Sequence, residues 1–324
     1  MNAKRLSVFG SGKDKSVTNH RIALVGIGKI AVDQHVPAIS GIDGLELAAT
    51  VSRNAALEGI ESFADLDKML AARPDIDIVS LAIPPVPRFG YAAAAIKAGR
   101  NVMLEKPPGA SLAECLTLQR MAEDAGVTLY ATWHSRHAHA VGAAKRWLEG
   151  RRIRDVSVVW KEDVRRWHPG QDWIWQAGGL GVFDPGINAL SILTEILPDR
   201  VHLNGAELEF PENRDTPIAA QLRFHHSDGA KVTAEFDWRQ EGPQTWDITV
   251  TTDDGTMKLS QGGAVLHIDE VLTEQGEDRE YASLYNKMVQ LVESDASEMD
   301  LDPMIHVSDA FTLGKRITVA PFDW

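Results

Sequence analysis

A short apolar stretch, residues 21–25, runs directly into Gly26-Ile27-Gly28-Lys29-Ile30-Ala31. Few folds accommodate that order of residues. Glycine at the first two motif positions permits a tight turn and lets a ligand come close to the backbone, and the small Ala31 allows a following helix to pack on the strand. The start of that helix offers free N–H groups and a positive dipole end, which suit a pyrophosphate. On its own G-x-G-x-x-A is a weak signal. A β-like run before it and a helical segment after it make it a dinucleotide-binding turn.

The rest of the first half repeats one theme. Apolar runs at residues 45–51, 76–83, 101–104 and 128–132 read as strands, and helices are expected over 88–98 and 113–125. Such alternation predicts a parallel, doubly wound sheet of the Rossmann type. Ligands in these sheets bind beyond the carboxyl ends of the strands. Ser52, Pro84, Lys106 and His134 fall at predicted strand ends and therefore share one crevice. The end of the second strand normally carries a carboxylate for a ribose 2′-hydroxyl. Here it carries Ser52 and Arg53, a hydroxyl and a guanidinium that suit a 2′-phosphate. NADP is the preferred cofactor on this reading, with NAD also accepted.

The second half changes character. Alternating segments at 154–164, 201–210, 217–224, 230–238, 245–252, 256–260 and 264–269 are punctuated by turns, with Asp228-Gly229 and Asp254-Gly255 as hairpin signals. Helices are expected over 185–197, 279–293 and 303–313. The fold class is thus α/β: an N-terminal Rossmann sheet plus a C-terminal α+β domain with a mainly antiparallel, open-faced sheet. Residues 1–20 read as a mobile extension, 21–136 as the dinucleotide-binding domain and 137–324 as the substrate domain. The C-terminal helix is expected to pack back on the first domain. An open sheet face also suggests a homo-oligomer, a dimer or tetramer.

Composition limits the partners. Lys plus Arg is 33 and Asp plus Glu is 46 among 324 residues, a net charge of −13, which disfavours nucleic acid. No apolar run approaches a membrane span. The single cysteine, Cys115, permits no internal disulfide and fits a reducing cytoplasm. His134, His137 and His139 lack companion ligands at a familiar metal spacing, so no metal site is expected. His134 is expected to face substrate, and His137 and His139 to lie on a helix surface. Asp184 and Asn188 are spaced i, i+4 and share a helix face, with Asp184 a natural N-cap before Pro185. Four tryptophans, Trp160, Trp167, Trp173 and Trp175, lie close together, and sugar faces pack on such rings.

The G-x-G-x-x-A turn, Glu105-Lys106-Pro107 at the fourth strand and the helix opened by Asp184 resemble the Gfo/Idh/MocA oxidoreductases. The segments Trp160-Lys161-Glu162-Asp163-Val164, Trp167-His168-Pro169-Gly170 and Gly178 to Leu190 resemble its aldose 1-dehydrogenase branch, whose substrates are L-arabinose- and D-galactose-type sugars. The resemblance implies a fold and a chemistry: oxidation of the anomeric carbon to an aldonolactone. Lys106 would be the general base, since a lysine held between cofactor and sugar loses solvent, which favours its neutral form. Asp184 would be the second catalytic residue. His134, Glu162, Trp167, His168 and Asn188 would bind substrate. Gly26, Gly28, Lys29, Ile30, Ser52, Arg53, Ile83, Pro84, Glu105 and Lys106 would contact the cofactor. Many family members carry histidine where this chain has Asn188, and an amide cannot take a proton, so acid–base work rests on Lys106. Two other readings stand beside this one: a dehydrogenase acting on inositol or another sugar-ring carbon, and a cofactor-binding sugar sensor without turnover.

Overall fold

The computed structural model describes residues 19–323. Residues 1–18, most of the expected extension, lie outside the described residues, and His20 already pairs in the first strand.

The first sheet contains β1 (His20–Val25), β2 (Leu45–Val51), β3 (Glu61–Phe63), β4 (Ile78–Leu81), β5 (Asn101–Leu104) and β6 (Leu129–Ala131). Their order is β3-β2-β1-β4-β5-β6, and the pairs are parallel. Chain direction across the sheet reverses between β1 and β4, which opens a crevice at their carboxyl ends. Ile22 to Val25 and Ile78 to Leu81 are buried without alternation, as expected of strands covered on both faces. The covering helices are α1 (Val36–Ser40), α2 (Leu66–Ala72), α3 (Pro85–Lys97) and α4 (Leu112–Ala125). A π-type turn, Ala31–His35, precedes α1. Pro85 starts α3, where its missing N–H costs nothing, and so strand β4 ends earlier than the apolar run suggested. Ser111 caps α4 by accepting from the Glu114 N–H, and Gly126 closes it in the left-handed region.

The second half begins with α5 (Val141–Leu148), β7 (Ile153–Lys161), α6 (Val164–Trp167) and α7 (Phe183–Ile196). Strands β8 (Val201–Pro211), β9 (Ala219–His226), β10 (Lys231–Asp237), β11 (Thr245–Thr252), β12 (Gly255–Ser260), β13 (Val265–Ile268) and β14 (Val271–Gln275) follow, then α8 (Glu280–Glu293), α9 (Asp302–Leu313) and β15 (Gly314–Val319). The nine-stranded sheet has the order β14-β13-β12-β11-β7-β10-β9-β8-β15. It is antiparallel apart from the β7–β10 and β8–β15 pairs. The Asp228-Gly229 and Asp254-Gly255 turns join antiparallel neighbours. Buried residues alternate along β7, and α7 covers that face, with Ile187, Leu190 and Phe236 in one core.

Three strands escape a sequence reading, and the chain ends on one of them, β15, rather than on a helix. The two C-terminal helices also part company. Helix α9 packs with α7 and β8 in the second half. Helix α8 instead lays Tyr281, Leu284, Tyr285, Met288 and Leu291 against Ile22, Ile78 and Met103 of the first sheet and Ile39 of α1. Each large apolar side chain buried this way contributes about 1.5–3 kcal/mol. Among the described residues no helix is long and apolar enough to cross a membrane.

Candidate active site

The turn after β5 presents Glu105, Lys106 and Pro107, with a cis bond between Lys106 and Pro107. Lys106 Nζ lies 3.1 Å from Asp184 Oδ2 and donates to the Asp184 carbonyl at 3.1 Å. Asp184 therefore does not cap α7. The helix begins two residues earlier than expected, at Phe183 with Val182 at the cap position, and Asp184 is buried in its first turn. His168 Nε2 lies 3.4 Å from the same carboxylate oxygen. Burial alone would raise the Asp184 carboxyl, but the Lys106 ammonium and His168 outweigh it and hold it below the ordinary range. His168 itself is pushed down by burial, against the pull of Asp184. A carboxylate that stays charged beside an amine can steady the ammonium formed when that amine takes a proton. Asn188 follows one turn later on the same helix face and is half-buried.

A buried polar network backs this turn. Glu105 Oε2 accepts from the Lys106 N–H at 2.8 Å, and Tyr281 donates to Oε1 at 2.8 Å. His35 Nε2 lies 3.3 Å from that oxygen, and its Nδ1 contacts Tyr285 Oη at 2.6 Å. Burial pushes Glu105 up, but His35, His134 and Lys106 together hold it well below the usual carboxylate range. His134 turns Nδ1 to Glu280 and stacks on Tyr281 at 5.4 Å. It opens a 3-10 turn, and His137 and His139 lie at the end of that turn and beyond it rather than on a helix surface.

Opposite stands an aromatic wall. The Trp238 and Trp246 indole N–H groups donate to the two oxygens of Glu162, at 3.2 and 3.0 Å. Burial and the nearby Asp184 charge push the Glu162 carboxyl up to about 7, despite those bonds. Trp246 packs on Trp160 at 6.0 Å and on Trp167 at 5.6 Å, while Trp238 packs on His168 at 5.3 Å. Trp160 and Trp175 are core residues, whereas Trp167 keeps 39% of its surface exposed. The wall thus offers an open ring beside fixed polar groups.

A cleft of about 400 Å³ lies at the end of β1. It is lined by Gly26, Ser52, Arg53, Ile83 and Pro84, five of the residues expected to touch a cofactor. Gly28, Lys29, Ile30, Glu105 and Lys106 are not part of that lining. Lys29 pairs with Asp33 at the surface, and Ile30 is 43% exposed. Sequence reasoning missed Asn54, Tyr91, Gln176 and Gly179 in this lining, and Trp173, read among the rings suited to a sugar, lines this cleft together with Gln176 and Gly179 from the second half. Among the described lining residues none is acidic.

The two glycines differ. Gly26 has φ +91°, and a Cβ there would lie 2.6 Å from Ile83 and 2.7 Å from the Ala82 carbonyl, so the protein itself requires glycine. A Cβ at Gly28 would meet nothing. Its glycine is not required by the chain's own packing, and the backbone there is open to the close approach of a ligand. The residues present therefore fit a dinucleotide.

The profile of an oxidoreductase family with an NAD-binding Rossmann fold, Gfo/Idh/MocA, matches residues 20–132. The galactose 1-dehydrogenase of Pseudomonas fluorescens is 41% identical over 303 residues, covering 93% of this chain and 98% of that one. The chain belongs to the Gfo/Idh/MocA oxidoreductase family. The crystal structure of a D-galactose-1-dehydrogenase from Rhizobium etli is 53% identical and superposes with a TM-score of 0.92 over 95% of this chain and 99% of that one. KijD10, a 3-ketoreductase from Actinomadura kijaniata solved with NADP and TDP-benzene, shares the fold at 20% identity and a TM-score of 0.81, over 93% of this chain and 100% of that one.

Proposed function

We propose that this oxidoreductase is an NAD(P)-dependent aldose 1-dehydrogenase that oxidises galactose-type sugars to the aldonolactone, with L-arabinose as the matching pentose. The observation that carries the reading is Lys106 held to Asp184 at the turn after β5, in a chain 41% identical to a galactose 1-dehydrogenase. NADP, the preferred cofactor, supplies the hydride acceptor when bound. Gly26, Gly28, Ser52, Arg53, Ile83 and Pro84 would hold it, with Lys29, Ile30 and Glu105 nearby. The preference for NADP rests on Ser52 and Arg53 at the end of β2 and on a lining without carboxylates.

In the reaction the C1–H electron pair leaves as hydride, the C1 hydroxyl proton passes to Lys106 Nζ, and C1=O forms. Asp184 stays ionised and stabilises the new Lys106 ammonium, so charge separates only over a short, fixed distance. Asn188, His168, His134 and Glu162 supply hydrogen bonds to ring hydroxyls, and Trp167 supplies an apolar face. Galacto-configured pyranoses gather several C–H groups on one side, which suits such a ring. The outer face of the second sheet, opposite α7, is the proposed contact in a homo-oligomer.

The test is cofactor reduction, followed by near-ultraviolet absorbance, with D-galactose, L-arabinose, D-xylose, D-glucose and myo-inositol against NADP and NAD. Turnover with D-galactose and L-arabinose, lost in Lys106→Ala, is expected. Turnover with myo-inositol alone would move the chemistry off C1. Tight NADP binding with no turnover on any of them would favour a sensor.

A further inference from the structure

Arg88 is 2% exposed, and no carboxylate among the described residues reaches it within 4.0 Å. Its position is unfavourable on three counts. A buried cation with no carboxylate in contact loses hydration for little return, and Glu105 and Asp184 act on Arg88 only at longer range. Arg88 also lies in the first turn of α3, where the helix dipole favours negative charge. Its Nε has no hydrogen-bond partner. What the guanidinium does have is three main-chain carbonyls. Nη1 donates to those of Glu105 and Pro107, and Nη2 donates to that of Ile83. Burial pushes the group down to about 10, so it remains a cation at neutral pH.

The three carbonyls have a meaning together. Glu105 and Pro107 flank Lys106, so one nitrogen holds the backbone on both sides of that lysine. Ile83 lines the cofactor cleft beyond the next strand, β4. Only a planar fork with several donors can span the two strand ends at once, and an ammonium offers a single nitrogen. We propose that Arg88 is a positioning residue that fixes the spacing between the Lys106 amine and the Ile83–Pro84 wall of the cofactor cleft. It touches neither substrate nor cofactor and acts through Lys106. The inference rests on the activity proposed above.

The test compares wild type with Arg88→Lys. Wild-type turnover on an aldose tests the activity itself, and its absence would strike that reading and not this one. Given turnover, kcat of Arg88→Lys should fall about 100-fold, the order expected when reacting atoms are displaced by about 1 Å. The KM for sugar should stay within about threefold, and the Kd for NADPH, read by its fluorescence, should rise about three- to tenfold. The isotope effect on kcat with C1-deuterated sugar should increase, because hydride transfer becomes the slow step. A purely structural arginine would lower Tm and active fraction with no change in isotope effect, which would overturn the proposal. Arg88→Ala gives a second measurement: low-millimolar guanidinium should restore part of kcat, and a folded variant that it fails to rescue would equally overturn the proposal. Recovery of neither variant in folded form would assign Arg88 to the folding core alone.

Discussion

Lys106 Nζ makes two contacts to a single residue, 3.1 Å to the Asp184 carboxylate and 3.1 Å to the Asp184 carbonyl. One contact balances charge and the other sets direction. Asp184 thus orients the amine as well as pairing with it, and the two roles can be separated. Asp184→Asn keeps the carbonyl and the side-chain shape but removes the charge.

Lys106→Met should lower kcat by about 10²–10⁴-fold, the usual contribution of a positioned general base. Asp184→Asn should cost less, because the directing carbonyl remains. In both variants the Kd for NADP should stay near wild type. Steady-state kinetics beside a cofactor fluorescence titration checks this, and equal losses in the two variants would show that the carbonyl contact directs nothing.

Glu162 should make stability fall as pH rises. Its native carboxyl keeps its proton up to about 7, whereas in the unfolded chain the proton leaves near about 4.3. Between those values the native state binds more protons, so raising the pH favours unfolding. Burial sets the shift and the Asp184 charge adds to it, while the two indole N–H groups and Lys106 oppose it. The penalty at high pH is at most about 4 kcal/mol. Urea unfolding at about pH 5 and about pH 8 should show the wild type losing stability relative to Glu162→Gln. A constant difference between the two proteins would reject the raised carboxyl.

The two motif glycines should behave in opposite ways. Gly26→Ala meets backbone and side chain at under 3 Å in a left-handed conformation, and should cost about 2 kcal/mol or more. Gly28→Ala meets nothing, so its Tm should match wild type while the Kd for NADP rises about tenfold or more. Thermal melts without cofactor, paired with binding titrations, separate the two.

Arg53→Asp tests the cofactor choice. A carboxylate at the end of β2 suits a ribose hydroxyl and repels a 2′-phosphate. The ratio of kcat/KM for NADP over NAD should fall at least about tenfold. An unchanged ratio would remove Arg53 from the discrimination.

Much of the fold was legible where periodicity was strong. Strand β5 and the helices α4 and α7 were marked by apolar runs, although the cap read at Asp184 lies inside α7. Strand β3 was not, because its three residues carry no apolar pattern. Strand β14 is an edge strand with Val271 and Leu272 largely exposed, so burial imposes no alternation on it. Strand β15 starts directly where α9 ends, and the sequence reading closed the chain with the helix over 303–313. At the site, Lys106, Asp184, Glu162 and His168 were named from motifs, and the structure brings them together. Arg88, Trp246 and Tyr281 were not named, because their roles depend on partners far away in sequence. Tyr281 meets Glu105 across 176 residues, and no local spacing encodes such a meeting.

The packing of α8 on the first sheet has a consequence for how the chain is made. Ile22, Ile78 and Met103 lie within the first third of the sequence, yet Tyr281, Tyr285 and Met288 complete their cover. During synthesis the nucleotide-binding half emerges from the ribosome with one face bare, and it waits for nearly the whole chain before it can close. A fragment ending after β6 should therefore expose that face and aggregate. The enzyme is two sheets in architecture but a single unit in assembly.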